Sequence, residues 1–171
     1  MDAMQNLLQR RSVRKYTDQQ VPEELLDQVL EAGIYAASGM NSQVSILVAV
    51  TDRETRDELS RMNAAVMGTD ADPFYGAPCV VVVLADQERY TWVEDASLVM
   101  GNLMNAAHAV GLGSCWIHRA RQMFDSDEGK ALLRKWGLSE TLRGVGNCIL
   151  GYPQEIPEPR ERKAGRIVKI V

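Results

Sequence analysis

Two hydrophobic periods alternate along the chain, one near 3.6 residues and one set by short apolar runs. Met4, Leu7 and Leu8 mark an amphipathic first turn. A second stripe, Leu25, Leu26, Val29 and Leu30, follows Pro22, with Glu23 and Glu24 where the positive end of a helix favours acids, so a helix is expected from Pro22. Ser45 to Val50 has strand character, and Thr51 with Glu54 fits a capping box opening a helix toward Met62. Met67 to Tyr75 reads as loop, and the apolar run Cys79 to Leu84 as a central strand buried on both faces. The strongest helical stripe is Ala96, Val99, Met100, Leu103, Met104, Ala107 and Val110, which predicts a core helix over Val93 to Val110, with Gly111 at its C-terminal position. Ser126 can cap a further helix through Leu132, Leu133 and Trp136 that stops at Gly137, and Val145 to Leu150 returns to strand character. From Gly151 the chain is Pro-rich, then basic, and it ends in the alternating stretch Arg166 to Val171, suited to add a strand elsewhere.

At 171 residues, 46% apolar and 25% charged, the composition is that of a folded domain with a sizeable core. The 19 Lys+Arg against 23 Asp+Glu leave a net charge of -4, which argues against nucleic acid or an anionic membrane as partner. Cys79, Cys115 and Cys148 are odd in number and lie in apolar runs, as expected of reduced core thiols in a cytoplasmic protein. No stretch approaches the roughly 20 apolar residues of a membrane span, and no signal-peptide pattern opens the chain.

Charge and small polar residues gather in four places. Arg10-Arg11-Ser12-Val13-Arg14 offers three guanidiniums and a hydroxyl at a helix-to-loop junction, a donor set suited to phosphate, although a solvated basic turn has the same composition. Arg160, Arg162 and Lys163 form a second basic cluster in the tail. Ser38-Gly39-Met40-Asn41-Ser42-Gln43 can bring backbone close to a flat polar ring. Gly111-Leu112-Gly113-Ser114-Cys115-Trp116-Ile117-His118 leaves the core helix and enters an expected strand. Within it, Gly113-Ser114-Cys115-Trp116 matches much of a papain-type nucleophile signature, but Leu112 precedes it instead of Cys, and no histidine lies ~130 residues downstream. Gly111-x-Gly113 and Gly144-x-Gly146 stop short of a dinucleotide fingerprint, because Trp116 and Ile149 stand at its last glycine. No His, Cys, Asp and Glu grouping has metal-ligand spacing.

Taken in order, Arg10 to Tyr16, Ala36 to Gln43, Gly111 to Ile117, and Gly151-Tyr152-Pro153 with Pro159-Arg160-Glu161-Arg162 resemble the motifs of the nitroreductase family over nearly the full chain. The resemblance implies an α+β fold, a mixed, mostly antiparallel sheet flanked by helices, in an intertwined homodimer with FMN at the interface. It implies one domain over residues 1–171, of which about 151–171 form a C-terminal extension that packs on the partner subunit. By motif, Arg10, Arg11 and Ser12 fall where the family binds the FMN phosphate and ribityl chain, and Arg14 where a basic residue meets the N1/O2 edge of the ring. Arg160 and Arg162 fall where the tail closes on the phosphate. Ser38, Gly39, Asn41 and Gln43 match the loop that approaches the flavin from the other subunit, and Trp116, Ile117 and His118 the strand whose backbone lies beside the ring. Ala37 and Val44 replace prolines common in the family, and the basic residue of larger members near the pyrimidine edge has no counterpart between Asp70 and Tyr75.

The implied activity is hydride transfer from NADH or NADPH to a small acceptor, such as a nitroaromatic, a quinone or a flavin, by a ping-pong mechanism. The cofactor carries the chemistry, so no protein nucleophile is expected. Other readings of the same residues are a flavin-dependent dehydrogenase, a reductase dedicated to one metabolite, and a flavin-binding protein without turnover.

Overall fold

The computed structural model describes residues 2–171. Four strands, β1 (Ser45–Val50), β2 (Cys79–Asp86), β3 (Gly113–Ile117) and β4 (Leu142–Gly151), form one sheet in the order β1-β2-β4-β3. All three pairings are antiparallel, and Ser12 adds an isolated parallel bridge to Ser114 at the β3 edge. The valine run occupies an interior strand, as its composition requires: a strand covered on both faces has no solvent side on which to alternate. Val80, Val82 and Leu84 point into one core, while Val81, Val83 and Ala85 point into the other.

Helices cover both faces. α1 (Ala3–Gln9) is short and capped by Asp2, whose side chain accepts from Gln5 N–H. α2 (Glu23–Ile34) and α4 (Trp92–Ala109) pack on the face of Val81 and Val83, through Leu26 and Val29 and through Ala96, Val99, Met100, Leu103 and Ala107. α3 (Arg53–Met67), α5 (Ala120–Asp125) and α6 (Asp127–Lys135) bring Leu59, Met62, Met123, Phe124, Leu132 and Leu133 to the other. Ser126 caps α6 by accepting from Gly129 N–H, and Gly111 and Gly137 take the left-handed conformation, with φ of 84° and 71°. Among the described residues no helix is long and apolar enough to cross a membrane.

Two local readings are corrected. The α3 cap is Asp52, one residue beyond Thr51; it accepts from Thr55 N–H at 2.8 Å and Thr55 Oγ1 at 2.7 Å, which leaves Glu54 in the first turn without the reciprocal bond of a capping box. β4 begins at Leu142, three residues earlier than the apolar pattern suggested, because Val83 pairs with Gly146 and Leu84 with Gly144, making Val145 an extra, bulged residue. α5 has no counterpart in the sequence reading, since its six residues are too few to display a period.

Candidate functional site

The segment leaving α1 is extended and stitched to the sheet at both ends. Val13 N–H donates to Ser114 O at 2.9 Å, and Thr17 N–H donates to Tyr152 O at 3.0 Å. Tyr16 is buried and donates its hydroxyl to Val13 O at 2.8 Å; burial first, then the neighbouring cysteines, push its pKa up. Gly113 is required beneath this segment, because a Cβ there would sit 2.9 Å from Val13 Cγ2. The stretch that carries Ser12 and Arg14 is thereby tied beside β3.

Their surroundings are cationic. Arg10 Nη1 is buried and has no hydrogen-bond partner, and neither Arg10 nor Arg11 forms an ion pair among the described residues. Arg11 Nη1 donates to Leu8 O and Arg10 O, both at 2.9 Å, so one arm of this guanidinium caps the end of α1. His108 on α4 reaches Asn6 through Nδ1 at 2.7 Å; burial, with the charges of Arg10 and Arg11 added, lowers its pKa. A buried guanidinium nitrogen without an acceptor is uncommon, and its planar donors are of the kind that bind oxyanions.

Further along, Arg14, Tyr75, Cys115, Trp116, Ile117, His118 and Arg119 line a cleft of 290 Å³. Arg14 lies 6.0 Å from the Tyr75 ring centroid, within cation–π range. Tyr75, at φ 53°, is held by Asp72, which accepts from Phe74 N–H at 2.8 Å, Gly76 N–H at 2.7 Å and Arg56 Nη2 at 2.7 Å, and from Ser60 Oγ. Burial alone would raise the Asp72 pKa, but these bonds outweigh it and hold the carboxyl below its ordinary value. Trp116 is seated over Gly146, where a Cβ would lie 2.7 Å from Nε1. The Cys115 thiol is buried, and its pKa is raised by that burial, with Arg14, Ser12 and Arg10 opposing. That is the environment of a packing thiol, since a nucleophile needs its thiolate.

Of the sequence candidates, Arg14, Trp116, Ile117 and His118 share this cleft. Ser38, Gly39, Asn41 and Gln43 lie apart from it, in the turn between α2 and β1. Three non-glycine residues of that turn have positive φ: Met40 at 53°, Asn41 at 55° and Gln43 at 49°. Buried Asp95 holds the turn, accepting from Gly39 N–H at 2.9 Å, Thr91 Oγ1 at 3.0 Å and Ser42 Oγ at 3.2 Å, and Ser38 Oγ accepts from Gln43 N–H at 3.1 Å. Arg160 and Arg162 are exposed and make no hydrogen bond or ion pair within the described chain. Asp95, Asp72 and Asn63, whose Nδ2 donates to His118 O at 2.7 Å, are organising residues that the sequence reading missed. Each is an ordinary polar residue in sequence and acquires its role only through partners brought in by folding.

The sequence model of the nitroreductase family matches residues 7–71 and 65–152. The chain superimposes on a nitroreductase with bound FMN from Bacteroides fragilis at a TM-score of 0.90, with 28% identity, covering 99% of this chain and 100% of that one. It is 39% identical to an NADH dehydrogenase of Thermus thermophilus, over 95% of this chain and 92% of that protein. An NADPH-flavin oxidoreductase of Vibrio harveyi is 26% identical, over 98% of this chain and 72% of its own length. A family match spanning the Arg10 segment, the Ser38 turn and the Trp116 strand, on a shared α+β fold, makes this chain a member of the nitroreductase family.

Proposed function

We propose that this protein is an FMN-dependent NAD(P)H oxidoreductase of the nitroreductase type. The observation that carries the reading is the unpartnered, buried Arg10 Nη1 at one end of an extended segment whose other end places Arg14 in a cleft. At about 3.3 Å per residue the two side chains are spaced roughly 13 Å along the chain, so one serves the phosphate and the other the ring of a single elongated cofactor. Arg10 and Ser12 hold the phosphate, joined by Arg160 and Arg162 from the tail and by the free donors of Arg11. Bound FMN supplies the hydride chemistry. The chain orients it: Arg14 offsets negative charge at the N1/O2 edge, and the β3 backbone at Trp116, Ile117 and His118 lies beside the ring.

The whole chain, residues 1–171, is read as one FMN-binding domain. The Ser38 to Gln43 turn is kept from the cleft of its own chain and serves the partner's, so the working unit is a homodimer. The tail from about residue 151 packs on the partner subunit, in keeping with the exposure of Ile156, Ile167, Val168 and Ile170. The open cleft admits hydride donor and acceptor in turn, which gives ping-pong kinetics with a nitroaromatic, a quinone or a flavin as acceptor. The relatives' NAD(P)H and flavin activities support this reading. The protein is expected in the cytoplasm.

The test is the absorbance of the purified protein. Flavin bands near ~450 nm that bleach within seconds of adding NADH or NADPH are expected. A colourless protein that binds no added FMN would overturn the proposal, and stable colour without bleaching would favour a flavin carrier. Sedimentation of the loaded protein should give a dimer.

A further inference from the structure

The cleft carries a second guanidinium besides that of Arg14. Arg119, between β3 and α5, sits at φ 77°, a left-handed conformation unusual for a residue with a side chain. Its Nε donates at 3.0 Å to Oδ1 of Asn63, a fully buried residue whose Nδ2 donates at 2.7 Å to His118 O. Both bonds to Asn63 are neutral at the acceptor side, so they aim the guanidinium without cancelling its charge. The terminal nitrogens of Arg119 make no hydrogen bond, and no carboxylate pairs with it among the described residues. The one acid lining the cleft, Asp72, is already occupied by Arg56, Ser60 and two main-chain N–H groups.

In a chain of net charge -4, the cleft thus presents two uncompensated guanidiniums, Arg14 and Arg119. Resting on the reading above, in which Arg14 is committed to the flavin edge, we infer that Arg119 is the docking cation for an anionic group of the substrate that enters the cleft. The chemical class is an oxyanion, a phosphate of the dinucleotide or a carboxylate of the acceptor, either of which a planar guanidinium binds with paired N–H donors. Arg119 is a specificity-determining residue: it ranks anionic over neutral substrates without taking part in hydride transfer.

The test compares wild type, Arg119→Gln and Arg119→Lys, each loaded with FMN, using two matched pairs: 4-nitrobenzoate against nitrobenzene, and NADH against dihydronicotinamide riboside, which lacks phosphate. One lost charge-assisted interaction lowers the anionic-to-neutral ratio of kcat/KM about tenfold or more in Arg119→Gln. The charge-keeping Arg119→Lys should recover much of that ratio. A fall in the first pair identifies a carboxylate, and a fall in the second a phosphate. Equilibrium titration with benzoate against benzamide, followed through the oxidised flavin spectrum, gives a readout without turnover and should show the same preference if the anion is a carboxylate. Equal losses within both pairs would assign Arg119 to the β3–α5 corner instead and overturn the inference, as would unchanged ratios in both pairs. Failure of the underlying reading is seen separately, as wild-type protein that takes up no flavin.

Discussion

Asp95→Asn tests whether one carboxylate holds the Ser38 to Gln43 turn. The side chain is 4% exposed and accepts three hydrogen bonds, from Gly39 N–H, Thr91 Oγ1 and Ser42 Oγ. Hydrogen bonds to a charged acceptor are worth about 1.5–3 kcal/mol each. Opposing them is the backbone of Met40, Asn41 and Gln43, all at positive φ, at roughly 1 kcal/mol or more per residue. Asparagine keeps an acceptor for Gly39 but turns an NH2 group toward two hydroxyls that formerly donated. Hydroxyl rotation recovers part of the loss, which leaves about 2–4 kcal/mol. If the turn melts with the rest of the protein, the Tm falls by roughly 4–16 °C for a chain of this size. If it opens alone, the Tm is unchanged but the Gly39 amide exchanges about 30-fold faster or more. Thermal unfolding with amide exchange at Gly39 covers both cases. A Tm within about 1 °C of wild type together with Gly39 exchange within about threefold would refute this account of the turn.

Removing Arg160 and Arg162 together should weaken FMN binding by about two decades while riboflavin affinity hardly changes; equal losses for the two ligands would remove the tail from the phosphate site. Cys115→Ala should retain turnover, because the thiol is buried and its pKa is raised by that burial; loss of activity with flavin still bound would restore a chemical role for it. His108 gives the pH dependence. Its folded-state pKa lies below its ordinary value of 6.5, so the unfolded chain takes up the proton first. Its contribution to stability is present above about pH 6.5 and is lost as the pH falls through the folded-state value. Denaturant titrations should show wild type losing stability on acidification below that pH and His108→Gln losing less of it.

What the sequence disclosed divides by the range of the interactions. The strand at Cys79, the stripe from Ala96 to Val110, the Ser126 cap and the glycine at 111 are local signals, written in consecutive side chains, and each is found within a few residues of its expected place. The cap of α3 slipped by one because Thr51 and Asp52 are both competent caps and only the Asp52 side chain reaches Thr55. The organising polar residues are of another kind. Asp95 meets Gly39 across 56 positions and Asn63 meets His118 across 55, so no window short enough to show periodicity contains both partners.

The same distinction explains the glycines that imitate a nucleotide-binding fingerprint. Gly144 and Gly146 flank the β4 bulge. A Cβ at the first would lie 2.3 Å from the Ala120 carbonyl oxygen and at the second 2.7 Å from Trp116 Nε1. Both contacts come from the β3–α5 strand and corner, so the glycines let that corner, with His118 and Arg119, lie close against the sheet. Spacing alone could not reveal this, because the steric demand comes from a segment more than twenty residues earlier in the chain. The close approach seats Trp116 and fixes the backbone from which Arg119 departs. It follows that Gly146→Ala should displace the half-buried Trp116 indole first and press on buried Met100, whose Cε would lie 3.1 Å from the new Cβ, so thermal unfolding should show a lower Tm while the sheet pairing on either side of the bulge stays intact.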